Sequence, residues 1–176
     1  MEPVAQAGPA DAEALAALAA ETFPLACPPG IPPAAIAAFV AEHLSAQRFA
    51  GYLDSADHTV LLARDDGALI GYSLLIRGEP ADPAVARAVS GRPAMELSKM
   101  YVRPDAHGSG VAAALMAAAL DRARADQIAT VWLGVNQRNT RAQAFYRKSG
   151  FTACGERTFT LADHVVEHDY VMARPA

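Results

Sequence analysis

The sequence predicts an α/β (α+β) chain whose central, mixed and twisted sheet of about six to seven strands is flanked by about four helices. Three observations carry that expectation. A β-rich segment ending at Val102 passes through the glycine-broken turn H-G-S-G at 107–110 into an alanine-rich segment and then a nearly continuous apolar run, the order of a right-handed parallel crossover. Thr59 to Arg64 and Ala68 to Arg77 flank Asp65-Asp66-Gly67, a hairpin signal that adds antiparallel pairing. Two further β-rich stretches follow the last helical pattern. The 176 residues, 52% of them hydrophobic, are enough to bury a full core and read as one domain over 1–176.

Taken in order, Asp11 stands where an N-cap belongs, and Leu15, Leu18, Ala19 and Thr22 recur at helical spacing, giving a helix over Ala12 to Phe23 that ends before Pro24. The proline-rich stretch Cys27 to Pro33 is irregular, because proline removes donors and restricts its predecessor. A second helix follows over Pro33 to Arg48, with Ile36, Phe39, Val40, His43 and Leu44 on one face and His43 at the core edge. After the hairpin, Gly78 to Pro93 reads as a loop with a short helical stretch at Pro83 to Val89. Met95 to Val102 is a strand, Val111 to Ala125 a helix ending on Arg122 and Arg124, and Thr130 to Val135 a central strand with Trp132 in the core. Asn139 to Ser149 forms a helix stopped by Gly150, and Phe151 to Phe159 and Val165 to Met172 form strands around a turn at Leu161-Ala162-Asp163.

The bulk numbers exclude several classes of partner. A net charge of -4 gives no general attraction to nucleic acid or anionic membrane and modestly favours a cationic substrate. No uncharged apolar run approaches the roughly 20 residues that a membrane helix needs. Cys27 and Cys154 lie far apart without metal-ligand spacing, so no metal is expected and neither thiol is assigned a nucleophilic role; with no export leader visible, a cytoplasmic location is expected.

The chemistry concentrates at the glycine turn. Gly108 and Gly110 lack a Cβ, so their backbone can press N–H groups against a ligand while the following helix points its positive end at the same place. Such a turn binds anions, phosphates above all, although the spacing alone also fits an ordinary strand-to-helix connection.

The stretch Glu96 to Ala113, followed by Trp132-Leu133-Gly134-Val135, Asn139 and A-F-Y-R-K-S-G-F at 144–151, resembles the GNAT superfamily of N-acetyltransferases over nearly the whole chain. The glycine turn and the helix-borne N-x-x-A-x-x-F-Y-x-x-x-G-F together carry that resemblance. It implies acetyl-CoA as cosubstrate, with the pyrophosphate on the backbone N–H groups of Gly108, Ser109, Gly110, Val111, Ala112 and Ala113 and the pantetheine arm pairing with Met100, Tyr101 and Val102. His107 stands where the family signature has Arg or Gln, which could make coenzyme affinity depend on pH. Asn139 would cap its helix and contact the coenzyme arm. Arg147 and Lys148 fit either the 3′-phosphate or a solvated face.

Acetyl transfer needs a deprotonated amine, donors for the oxyanion and a proton for the departing thiolate. The resemblance implies a backbone N–H of the Met100 to Val102 segment as oxyanion donor, and Tyr146 as the acid, or alternatively as a packed aromatic. Glu96 is the first choice of base, against a solvated strand-end carboxylate; Gly134 stands where some relatives carry a glutamate. His164, Glu167 and His168 on the final hairpin could also reach the cleft, against a plain surface place on the turn. The acceptor would enter between Phe23 to Phe39 and Thr158 to Glu167. E-L-S-K-M-Y-V and G-E-R-T-F-T-L-A-D resemble a bacterial branch that includes polyamine acetyltransferases. A small amine or polyamine is therefore the first expectation, and an amino-acid or protein N-terminal amine the second, with Asp54, Asp57 and Glu167 either pairing with a cation or simply solvated. Dimers are common among such enzymes, so a homodimer is one implied assembly. The alternative class is a catalytically weak coenzyme-binding regulatory module.

Overall fold

The computed structural model describes residues 1–162 and 165–176, apart from the side chains at 159, 161 and 162. Its elements are β1 (Ala5–Gln6), α1 (Ala12–Ala26), α2 (Pro33–His43), α3 (Ala46–Asp54), β2 (His58–Asp65), β3 (Ala68–Arg77), α4 (Pro83–Ala88), β4 (Ala94–Val102), α5 (Val111–Ala125), β5 (Thr130–Asn136), α6 (Thr140–Lys148), β6 (Thr152–Ala162) and β7 (Val165–Pro175). They build a seven-stranded sheet in the order β1-β2-β3-β4-β5-β7-β6. Every neighbouring pair is antiparallel except β4 and β5, which the α5 crossover makes parallel. The mixed sheet flanked by helices is the predicted fold class. Leu161 and Ala162, expected in a turn, instead extend β6, and Asp163 lies outside the described residues.

Two apolar layers sandwich the sheet. Val111, Leu115, Met116, Ala119 and Leu120 of α5 pack on Leu61, Leu75, Leu97, Val131 and Leu133 on one face. On the other, Leu15, Leu18, Phe23, Phe39 and Phe49 from α1, α2 and α3 pack on Val60, Leu62, Tyr72 and Leu74. Gly71 brings α5 close, since a Cβ there would lie 3.1 Å from both Leu115 Cδ1 and Val111 Cγ1.

Helix boundaries differ from the sequence reading in three places. α1 continues through Pro24 to Ala26 and ends three residues later, where the hydrogen bond that proline removes belongs to the last turn. Asp11 precedes α1 without capping it; its carboxylate instead accepts from Gly8 N–H at 2.8 Å and from Arg64 at 2.6 Å. The helix read over Pro33 to Arg48 breaks at Leu44, and Ser45 starts α3 by accepting from the Arg48 N–H at 3.3 Å. β1 escaped the sequence reading because two residues carry no period.

Candidate active site

β4 and β5 pair at only three positions, Ala94–Thr130, Met95–Val131 and Glu96–Trp132, and then diverge. The divergence begins at a bulge. Leu97 pairs with Leu75 and Lys99 with Leu74, so Ser98 is an extra residue that bends β4 away. Beyond it, the Arg103 N–H donates to Ile70 O at 2.9 Å, and the antiparallel register alternates back from there. Tyr101 therefore turns its backbone groups toward β3, whereas Met100 and Val102 turn theirs into the open fork. Among the described residues this leaves the N–H groups of Met100 and Val102 without a strand partner.

A cavity of about 430 Å³ runs through the fork. Met100, Val102, His107, Ala112, Asn139 and Tyr146 line it on the α5 and α6 side, and Phe23, Cys27, Phe39, Arg157 and Asp169 line it toward α1 and α2, with Tyr101 and Lys99 from β4 itself. Phe23 and Phe39 stack with ring centroids 4.6 Å apart, giving the second side an aromatic wall. Gly108, Ser109, Gly110, Val111, Ala113 and Glu96 do not line this cavity.

The glycine turn adopts the geometry that an anion cradle requires. Gly108 and Gly110 have φ of 83° and 91°, left-handed values that other residues adopt only with strain. Ser109 closes the turn through its hydroxyl on Ala106 O, 2.6 Å away, and its N–H on the same oxygen at 3.4 Å. The first helical bond of α5 runs from Ala114 N–H to Gly110 O at 2.9 Å. The N–H groups of Gly108, Gly110, Val111, Ala112 and Ala113 accordingly have no protein acceptor among the described residues. Five donors at a positive helix end fit a pyrophosphate. Val111 contributes its backbone only, its side chain being core. His107 folds back instead of facing the turn, with Nε2 2.9 Å from the Val102 carbonyl.

On α6, Asn139 caps the helix through Oδ1, which accepts from the Ala142 N–H at 3.0 Å, and also lines the cavity. Tyr146 packs edge-on against Phe145 and Phe151 with centroids 5.5 and 6.0 Å away. Its hydroxyl has no hydrogen-bond partner among the described residues, and burial pushes its pKa up to about 12. Arg147 bonds Gln143 Oε1 at 3.2 Å, and Lys148 is exposed.

The opposite side of the fork holds a charge cluster. Arg157 lies flat on Gly134, where a Cβ would come within 2.5 Å of its Cζ and Nε. Nη1 lies 3.5 Å from Glu96 and Nε 3.4 Å from Asp169, with the guanidinium 5.5 Å from the Trp132 ring centroid. Glu96 thus sits at the root of the fork, behind Arg157. Burial raises the Glu96 carboxyl above its ordinary value, opposed by Arg157 and Lys99, and raises Asp169 likewise against Arg157. Burial lowers Lys99. Burial also opposes ionisation of Glu167, but hydrogen bonds from Arg138 at 2.6 Å and Asn136 at 2.9 Å outweigh it and hold that carboxyl below the usual range. Cys27 donates to Phe23 O, and burial pushes its thiol up to about 11, so it is no ready nucleophile. His168 points outward, Asp54 and Asp57 are exposed away from the cavity, and His164 lies outside the described residues.

Sequence reasoning did not select Arg157, Asp169 or Lys99. The missing glutamate at Gly134 was the available signal, because an unfilled position on a central strand leaves room for a side chain from the neighbouring hairpin. Among the described residues no group of three or more His, Cys, Asp or Glu is gathered as metal ligands, and no helix is long and apolar enough to cross a membrane.

Comparisons with known proteins bear on the family and the fold. The sequence profile of the acetyltransferase (GNAT) family matches residues 15–151. Uncharacterized N-acetyltransferases of Mycobacterium tuberculosis and Mycobacterium bovis are each 51% identical over 164 residues, covering 93% of this chain and 97% of theirs. A PaiA N-acetyltransferase from Thermoplasma acidophilum, solved in complex with coenzyme A, superposes with a TM-score of 0.78 at 20% identity, over 100% of both chains. A ribosomal-protein-alanine N-acetyltransferase from Brucella melitensis gives 0.70 at 21% identity, over 99% of this chain and 100% of that one.

Proposed function

The chain belongs to the acetyltransferase (GNAT) family and is an acyltransferase enzyme, and on that footing we propose that it moves the acetyl group of acetyl-CoA to a primary amine by direct attack in a ternary complex, within one domain over 1–176. The supporting observation is the fork between β4 and β5. One cavity joins the α5 and α6 side, which holds Tyr146 and adjoins the free N–H row, to the aromatic and charged side toward α1 and α2. A coenzyme on the first side and an amine on the second would meet at Met100 to Val102.

The step balances simply. The amine lone pair forms the N–C bond, the C–S bond breaks, the amine gives up a proton and the coenzyme thiolate takes one. Backbone N–H groups of the Met100 to Val102 segment receive the oxyanion, and Tyr146, kept protonated by its burial, supplies the thiolate proton. The carboxylates flanking Arg157 are the candidate acceptors of the amine proton. Asp169 lines the cavity, whereas Glu96, the choice made from sequence, stands behind the guanidinium.

As acceptors, small amines and polyamines come first from the sequence resemblance, followed by amino-acid and protein N-terminal amines. The PaiA and ribosomal-protein-alanine enzymes share this fold, and the second acts, by its name, on a protein alanine. A thiol-release assay with acetyl-CoA and a panel of such amines tests the proposal. Acceptor-dependent thiol is the expected result, and tight coenzyme A binding without thiol from any amine would overturn it.

A further inference from the structure

Resting on the acetyl-transfer reading above, and naming the class of acceptor within it, we infer that Arg157, seconded by Lys99, is a specificity-determining cation for an amine acceptor that carries a carboxylate. The placement of Arg157 is the first support. Its guanidinium occupies the face of β5 that Gly134 leaves bare, at the fork and in the cavity wall. Glu96 and Asp169 each meet it through one long contact, 3.5 and 3.4 Å, and Nη2 donates to nothing among the described residues. A guanidinium has five donors in a planar fork, so these two contacts leave an edge able to take a carboxylate in bidentate fashion.

Lys99 is the second support. It lines the same cavity, and among the described residues no carboxylate comes within 4 Å of its ammonium, whose neighbours are Ser98 Oγ at 3.4 Å and the Tyr52 ring at 5.5 Å. Glu96 acts on it only from beyond ion-pair distance, so a half-buried cation is left short of a direct partner, a cost that an anionic ligand would recover.

The acids on this side already face cations. Glu167 is held by Arg138 and Asn136, and Asp169 and Glu96 by Arg157. A polyamine would bring a second ammonium against Arg157 and Lys99, whose positive charge opposes it. An acceptor with one amine and one carboxylate offers each charge an opposite partner.

The test is a comparison of kcat/KM for the standard amino acids, their carboxamides, the corresponding decarboxylated amines and spermidine. At least one amino acid should exceed its carboxamide by about tenfold. Two variants read the cause. Arg157→Lys keeps the charge but loses the fork, and Gly134→Ala keeps Arg157 while its Cβ displaces the guanidinium. Both should reduce that preference to near unity through KM, and coenzyme A affinity reports that the fold is intact. Preference for carboxamides or spermidine, or an unchanged preference in both variants, would overturn the inference. If no amine releases thiol, the acetyl-transfer reading fails instead, and calorimetric titration of N-acetyl amino acids into the coenzyme A complex decides the anion site alone. Binding weakened by Arg157→Lys supports the site, and absence of binding overturns it.

Discussion

His107 Nε2 lies 2.9 Å from the carbonyl oxygen of Val102, the last residue of β4. A carbonyl only accepts, so the imidazole carries its proton on Nε2, and the ring occupies a backbone acceptor that an extended ligand in the fork would seek. Replacing His107 with Ala frees that acceptor while leaving the N–H row of α5 untouched. Coenzyme A affinity should change by less than about fivefold, whereas His107→Arg adds a permanent cation beside the turn and should tighten it by up to about tenfold. Calorimetry at fixed salt checks both.

Tyr146→Phe removes one hydroxyl from a packed ring and leaves the aromatic contacts with Phe145 and Phe151. We expect kcat to fall about a hundredfold with coenzyme A affinity unchanged. Because burial pushes the phenol pKa up to about 12, the acid form persists through the working range. The wild-type rate should then show no alkaline loss assignable to Tyr146 below about pH 10. An unaffected rate in the Phe variant would remove the role.

Glu167 ties β7 to the end of β5 and the segment after it through Asn136 and Arg138. Its carboxyl is held below the ordinary value, so it ionises more readily folded than unfolded. The stabilisation is present above the unfolded pKa of about 4.3 and is lost as pH falls through the lower folded value. Glu167→Gln should cost about 1 kcal/mol at pH 7, at the low end because the Arg138 side chain is 55% exposed. The gap between variant and wild type in denaturant unfolding should close toward pH 3.

Gly71 is where α5 comes nearest the sheet. A valine there would press on Val111 and Leu115, in the first two turns of the helix that begins at the free N–H row. We expect a loss of about 1–3 kcal/mol and a parallel weakening of coenzyme A binding, measured by denaturant unfolding and calorimetry on the same preparation.

Much of the fold was legible because period and punctuation agreed along the chain. Leu15, Leu18 and Thr22 marked α1, Asp66-Gly67 the first hairpin, and Gly110 the start of α5. Failures occurred where a tertiary partner overrode a local signal. Asp11 had the chemistry of a cap, but Arg64, distant in sequence, claims its carboxylate. The glycine turn and its row of N–H groups were readable for a related reason, since backbone donors and left-handed glycines are fixed by local sequence. The charge cluster around Arg157 is assembled from β4, β5, β6 and β7. No spacing along the chain could announce that an arginine at 157 would lie on a glycine at 134.

The three-position pairing of β4 with β5 has one more consequence. Past Glu96 and Trp132 the sheet is unfinished: two strand edges diverge with backbone groups turned toward a gap. A ligand that lies along β4 would act as a temporary eighth strand, so its binding energy would appear directly as resistance to unfolding. At a hundredfold excess over its dissociation constant, that contribution is about 2.7 kcal/mol. Amide exchange at Met100 and Val102 should slow more than at Tyr101, whose N–H is committed to β3 with or without ligand.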